Sequence, residues 1–265
     1  MQELEFSLLV PALLAGLLVT ATHVPLGIQV LRRGIVFIDI AIAQIAGVGV
    51  IAADFFGLPS GGYAVQVSAL TAALSGALFM TWTERRWPDI QEGIIGTVFV
   101  LAATLQVLLL AGNVHAGEYL KDLLVGQILW VNYPQLGAVA ALTAVVLAAW
   151  FGLGAMRLGR MGFYLLFGLS VTASVQVVGV YLVFSTLIIP ALATRRAVRY
   201  RTTKAYAVGA IGYLTGLVAS MVSDLPTGAL TVWTMAATGI AFASAERGAR
   251  AVSDHGEEIR SPSAL

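Results

Sequence analysis

The hydrophobic positions of the sequence fall into nine runs separated by short polar or glycine-containing segments. Most runs contain about 20 residues, enough for an α-helix rising roughly 1.5 Å per residue to cross about 30 Å of hydrocarbon. The pattern predicts an all-α, polytopic membrane helix bundle over residues 1–245 and a polar tail over residues 246–265. The predicted helices cover residues 6–29, 35–56, 63–82, 93–111, 135–153, 162–177, 180–193, 205–223 and 228–245.

The basic residues separate to one side of the membrane when these runs are threaded as nine crossings. With the N-terminus outside, the cytoplasmic segments hold fourteen of the fifteen lysine and arginine residues, and only Lys121 lies outside. Cytoplasmic segments of membrane proteins are enriched in these residues. We therefore predict a multi-pass protein of the cell membrane (inner or plasma membrane) with a cytoplasmic C-terminus, whose tail is short and partly disordered.

The number of spans depends on residues 162–193. As a single helix this segment would have about 32 residues and would place the five basic residues of 195–204 outside. As two short helices that reverse near Gly179, it keeps those residues inside, because glycine accepts the backbone conformations of a tight turn. We favour nine spans, with eight as the alternative.

Composition narrows the possible functions. Charged residues make up 11% of the chain, against about 25% in soluble domains, and a net charge of +1 gives no basis for nucleic-acid binding. Cysteine is absent, which excludes disulfides and thiolate metal sites. The sequence contains no phosphate-binding loop, zinc-protease motif or serine-hydrolase motif. We expect no enzymatic activity and no cofactor bound by this chain.

Residues 119–131 are apolar but too short to cross the bilayer, and Lys121 and Asp122 interrupt them. This pattern predicts an interfacial or re-entrant helix on the outer side.

Three polar side chains within the predicted spans are the main candidates for chemistry. His23 lies about 13 Å from the cytoplasmic end of the first helix and Gln44 about 15 Å from the same end of the second, so the two are at similar depth. A neutral imidazole and an amide oxygen can both ligate a cation. Asp39 is about 7 Å deep. We take these three as candidate metal-translocation residues; the alternative is interhelical hydrogen bonding, with Asp39 paired to Arg32 or Arg33.

The remaining polar candidates are weaker. Gln66, Gln106 and Gln176 are expected to form interhelical hydrogen bonds. His115 and Glu118 lie in the predicted outer segment, where a solvated loop is the favoured interpretation over a docking surface.

Several segments, taken together and in order, resemble the metal-ion permeases of ABC importers, the branch that handles zinc, manganese and iron. The resemblance covers nearly the whole chain. It implies a homodimeric permease that moves divalent metal ions such as zinc or manganese inward, two ATP-binding cassette subunits, and an extracytoplasmic metal-binding protein. The alternative is a secondary transporter or channel that needs no ATP, although we see no internal repeat. The segments that carry the resemblance are 26–33, 38–49, 92–99, 122–129, 176–183, 188–194 and 224–228.

The sequence departs from that family in two places. Such permeases usually carry an aspartate and, four residues later, a histidine near the start of the second helix. Alignment on Gly49 puts Ile40 and Gln44 at these positions, and a shift by one puts Asp39 and Ala43 there. We therefore expect the usual metal gate to be either missing or rebuilt from Asp39, Gln44 and His23. The segment expected to couple to the ATPase is also shortened to residues 154–161, or shared with 195–204.

Overall fold

The structure is a computed structural model that describes residues 2–57, 63–111, 116–197, 199–223 and 225–260. For residues 2–7, 116–119, 155–157 and 247–260 the description covers the backbone only. Over this part of the chain every regular element is helical, which confirms the all-α prediction. The helices are α1 (Gln2–Arg33), α2 (Ile38–Phe55), α3 (Tyr63–Arg86), α4 (Gln91–Leu109), α5 (Ala116–Val125), α6 (Tyr133–Val178), α7 (Val180–Ala193), α8 (Arg201–Ser223) and α9 (Thr227–Arg260), with short 3₁₀ turns at Pro88–Ile90 and Ile128–Trp130.

Eight helical segments within the described residues are long and apolar enough to cross a membrane. Two of them, Tyr133–Gly154 and Leu158–Val178, are the halves of α6. The remaining apolar helix, α7, has 14 residues. At about 1.5 Å per residue it is roughly 21 Å long, shorter than the 30 Å of hydrocarbon in a typical bilayer.

The break predicted near residue 179 is present. Gly179 has φ +82° and ends α6, and α7 begins at the next residue. An L-residue with a Cβ rarely adopts this conformation, so glycine is what allows the two helices to follow one another without a longer loop.

The segment 154–161, predicted as a loop, is different in the structure. Helical geometry continues through it and is interrupted only at Gly154 (φ +74°) and Gly159 (φ +59°). The residues between the two glycines are alanine, methionine, arginine and leucine, all strong helix formers, so the chain keeps a helical turn between two kinks.

The predicted short outer helix and the tail are also modified. α5 begins at Ala116 and ends at Val125, and a 3₁₀ turn at Ile128–Trp130 follows instead of a continued helix. The tail, expected to be partly disordered, is helical as far as Arg260. Its alanine, glutamate and arginine residues favour helix, and the preceding span supplies a preformed helix for them to extend.

The helices pack through closely spaced backbones. α1 packs mainly on α6, α7 and α8, whereas α2 packs on α3 and α4. A Cβ built on Gly49 would lie 2.6 Å from the Ser68 carbonyl oxygen, and one on Gly27 would lie 1.9 Å from that of Leu187. Small residues thus bring α2 against α3 and α1 against α7.

Candidate translocation site

A cavity of about 600 Å³ lies between α2, α4, α5, α7 and α9. Its wall is mostly aliphatic and aromatic, with a few polar side chains. Gln44 of α2 lies on this wall, which places one of the three candidate residues in the cavity. The described lining residues are Ile40, Gln44, Phe99, Ala103, Gln106, Val107, Leu120, Leu123, Leu124, Val180, Tyr181, Phe184, Ser185, Ala229, Val232 and Trp233.

Gln106 joins α4 to α2 at this wall. Its Nε2 donates to the backbone oxygen of Gln44 at 2.9 Å and to the Gln44 side-chain Oε1 at 2.6 Å. Gln106 is fully buried and Gln44 is 5% exposed. The prediction of an interhelical hydrogen bond for Gln106 is confirmed. Its own Oε1 has no hydrogen-bond partner among the described residues, so a buried acceptor remains at the cavity wall.

Asp39 lies in the first turn of α2, about 7.5 Å along the helix axis from Gln44. It is buried, and neither carboxylate oxygen has a partner in the described part of the chain. The alternative that Arg32 or Arg33 pairs with Asp39 is wrong, because neither arginine bonds to it and the Arg33 guanidinium lies 3.7 Å from Glu84 instead. Asp39 is not among the lining residues of the cavity.

His23 occupies a different part of the bundle. Its Nδ1 lies 2.9 Å from the Val19 carbonyl oxygen and 3.0 Å from the Thr22 hydroxyl, and its buried Nε2 has no partner among the described residues. Its helix packs mainly on α6, α7 and α8, and His23 does not line the cavity that contains Gln44. Within the described residues, no three or more histidine, cysteine, aspartate or glutamate side chains form a group that could hold a metal.

A second, more polar cavity of about 340 Å³ lies where α5 and the 3₁₀ turn after it meet α2, α3 and both ends of α6. Gln66 and Gln176, predicted to join helices, are exposed on its wall. Asp122, Gln127 and Gln135 complete its polar lining. His115 and the side chain of Glu118 lie outside the described residues.

The sequence did not reveal how α5 is held in place. A Cβ on Gly126, which follows α5, would lie 2.3 Å from the Val178 carbonyl, and one on Gly179 would lie 2.4 Å from the Gly126 nitrogen. A Cβ on Gly228, at the start of α9, would lie 2.4 Å from the Val125 oxygen. We call these three residues the glycine junction. It fixes the end of α5 against the starts of α7 and α9. The sequence indicated a break at Gly179, but it did not indicate that Gly126 and Gly228 lie close to other backbone segments.

A charged cluster at the Arg33 end of the bundle was also missed. Glu84 of α3 lies 3.7 Å from Arg33 and 4.0 Å from Arg160, and the Arg33 guanidinium sits 4.3 Å from the centre of the Phe163 ring. The contacts join the ends of α1 and α3 to the second half of α6. A separate ion pair joins Lys204 of α8 to Glu246 of α9. Opposite charges on adjacent predicted helix ends were the available signal.

A polytopic bundle of this kind, with a mostly apolar cavity between α2, α4, α5, α7 and α9, is an architecture typical of membrane transport subunits. The sequence matches the ABC 3 transport family over residues 5–153 and again over residues 152–245. The chain belongs to this family and is a multi-pass permease subunit of the cell membrane. The search of curated proteins finds no match.

Two solved structures share the fold. PsaBC from Streptococcus pneumoniae, in complex with a Fab, superposes with a TM-score of 0.69 over 89% of this chain and 90% of that chain, at 20% sequence identity. A structure described as an inward-facing conformation of a metal-chelate type ABC transporter superposes with a TM-score of 0.66 over 84% and 82% of the two chains, at 19% identity. At these identities the similarity establishes the fold.

Proposed function

We propose that this chain is the membrane subunit through which an ABC importer moves metal into the cell. The observation that carries the proposal is the cavity between α2, α4, α7 and α9, placed within the fold of a family of ABC transporters. The sequence segments that resemble metal-ion permeases support metal as the cargo. One structural neighbour is itself described as a metal-chelate type transporter, which also supports metal.

The proposal includes partners. The sequence has no phosphate-binding loop, so ATP is hydrolysed by separate ATP-binding cassette subunits, and an extracytoplasmic metal-binding protein delivers the cargo.

Two copies of the chain form the pathway. This arrangement is supported by Trp233 and Tyr181, which line the cavity yet are 76% and 52% exposed in the single chain. Large exposed aromatic side chains beside a cavity suit a surface that a second copy covers.

The proposed topology has nine crossings, with α7 as the short one and the N-terminus outside. This threading keeps Arg195, Arg196 and Arg199 on the same side as Arg32 and Arg33, in agreement with the positive-inside rule. The surrounding helices α1 and α9, which pack on α7, supply the protein environment that a helix too short to span lipid requires.

The absence of cysteine makes this topology directly testable. A single cysteine at the exposed Arg196 can be labelled without background, with cysteines at the exposed Arg86 and Tyr63 as the cytoplasmic and outer references. The nine-span topology predicts that R196C behaves like R86C. A thiol reagent that cannot cross the membrane should leave both unlabelled in intact cells and label both once the membrane is opened. Labelling like Y63C would require eight spans.

The proposed residues of the translocation path are still His23, Asp39 and Gln44. Gln44 would act at the cavity wall, while Asp39 lies nearer the start of α2 and offers the ion-binding oxygens of an unpaired carboxylate. An intramembrane ionisable residue is costly and usually has a role in transport. His23 contributes an imidazole nitrogen without a partner among the described residues, on a separate set of helices.

The test is transport by the reconstituted system. Proteoliposomes containing the chain, its ATPase subunits and luminal ATP are supplied with the binding protein purified with its native cargo, and luminal metal is measured by mass spectrometry. ATP-dependent accumulation of metal is expected, and none with the chain alone. Luminal metal that never exceeds the ATP-free control would refute metal import, and transport by the chain alone would identify a secondary transporter or channel.

A further inference from the structure

The lining of the 600 Å³ cavity poses a problem for a bare ion. Among its described residues there is no carboxylate, imidazole or thiol; the side chains with polar atoms are Gln44, Gln106, Tyr181, Ser185 and Trp233. Divalent ions in proteins are held by four nitrogen, sulfur or carboxylate ligands, or by six to eight oxygens that usually include carboxylates. A charge placed in an apolar membrane cavity without such ligands carries a large desolvation cost.

Part of this small polar set is already in use. The Ser185 hydroxyl donates to the Tyr181 carbonyl oxygen at 2.8 Å, and the Gln106 amide donates to both oxygens of Gln44. The remaining oxygen of Gln106 is itself buried away from the cavity space, so few polar groups are left for an occupant.

The size of the cavity points in the same direction. A divalent ion with six first-shell waters needs roughly 200 Å³, at about 30 Å³ per water. The cavity of one chain is about three times larger, at 600 Å³, within the range of sites that take organic ligands.

Aromatic rings are contributed by three helices to this one cavity. Phe99 comes from α4, Tyr181 and Phe184 from α7, and Trp233 from α9. Rings of this kind bind planar organic groups by stacking and by burial of apolar surface. An aromatic wall with few polar groups is a good environment for an organic molecule and a poor one for a bare cation.

We infer that metal occupies this cavity as a neutral organic chelate with aromatic groups, whose own donor atoms complete the coordination sphere. The inference rests on the proposed function, and it specifies the form in which the metal crosses. The chelate's outer surface contacts Phe99, Phe184 and Trp233. Asp39 and His23, which do not line the cavity, are not part of this site.

The test is equilibrium dialysis of the complete transporter, the chain with its ATPase subunits, in nanodiscs. The probes are the neutral iron(III) tris(deferiprone) complex, metal-free deferiprone, zinc chloride and manganese chloride, with empty nanodiscs to measure partition into lipid. Saturable binding of the iron complex is expected, stronger than that of any other probe. Trp233→Ala should weaken it about tenfold, while Trp233→Phe, which keeps an aromatic ring, retains most of it. Trp82→Ala is the matched control, an exposed tryptophan of α3 outside the cavity.

Three results would overturn the inference. They are tighter binding of zinc or manganese ions than of the complex, equal binding of metal-free deferiprone, and no saturable binding of the complex. None of these results decides whether the chain imports metal. The proteoliposome assay decides that, because it follows metal in whatever form the native binding protein delivers it. Luminal metal without chelate binding would reject the chelate alone, and absence of luminal metal would reject the proposed function.

Discussion

The side-chain amide of Gln106 donates hydrogen bonds to both the backbone oxygen and the side-chain oxygen of Gln44, at 2.9 and 2.6 Å. One residue of α4 therefore fixes the orientation of the polar residue that α2 presents to the cavity. A Cβ on Gly47 would come within 3.0 Å of the same amide nitrogen, so there is little room for Gln106 to move away. Gln44 is held in place before any cargo arrives.

The first prediction concerns this contact. Gln106→Leu removes both hydrogen bonds and leaves the Gln44 side-chain oxygen without its donor, so we expect a loss of about 1 kcal/mol in stability, in the range of interhelical hydrogen bonds in membrane proteins. Thermal unfolding of the purified protein should show a lower midpoint, and uptake should fall. Gln66→Leu, on the exposed wall of the second cavity, is the control and should unfold like the wild type. Equal midpoints for wild type and Gln106→Leu would mean that the contact does not stabilise the bundle.

The second prediction concerns Asp39. Asp39→Asn keeps the shape of the side chain but removes a buried carboxylate that has no partner among the described residues. Because an unpaired buried charge is costly, the variant should unfold at a higher temperature than the wild type. If Asp39 binds the passing metal, uptake should fall by roughly tenfold or more.

Asp54→Asn, at the exposed far end of the same helix, is the matched control for Asp39. It should change neither property. An Asp39→Asn protein that transports at the wild-type rate would remove Asp39 from the pathway.

The third prediction concerns the glycine junction. Alanine at Gly126 or Gly179 meets both a positive φ and backbone atoms closer than 2.6 Å, so each substitution should cost about 2 kcal/mol or more. Gly57 separates the two effects, because it also has a positive φ (+75°) but nothing within 4 Å of a Cβ. Gly57→Ala should cost only about 1 kcal/mol. Similar midpoints for alanine at Gly57 and Gly126 would show that backbone strain, and not the contact, limits both sites.

The fourth prediction concerns the charged cluster. Arg33 and Glu84 are largely shielded, with side chains 17% and 15% exposed, whereas Arg160 is 53% exposed and 4.0 Å from the same carboxylate. A double-mutant cycle should give a coupling of about 1 kcal/mol for Arg33 with Glu84, and less than about 0.5 kcal/mol for Arg160 with Glu84. High salt should reduce the second coupling more than the first. A larger coupling for Arg160 would reverse the assignment of the main partner.

The fold could be predicted from the sequence because one property, apolar length, determines where membrane helices lie. The break at Gly179 was also predictable, since it was the only arrangement that kept residues 195–204 with the other basic segments. The kinked helix across 154–161 was not, because helix propensity between two glycines competes with a turn and no charge pattern decides between them.

The candidate site could be predicted only in part. Gln44 and Gln106 were recognisable as polar residues within spans, but their contact depends on α2 packing against α4, which periodicity does not specify. His23 and Gln44 are at similar predicted depths, yet depth says nothing about which helices are neighbours. The aromatic wall of the cavity was hidden for the same reason, since exposed aromatics occur on many faces of such a bundle.

The glycine junction has a consequence for how the pathway alternates between its two sides. At Gly126, Gly179 and Gly228, backbone contacts backbone with no side chains in between that could rearrange. We therefore expect that α5 does not move independently of α7 and α9. Any opening at that end must carry α5 together with the starts of α7 and α9 as one rigid unit, and the displacement has to be absorbed where α5 and α7 contact α2.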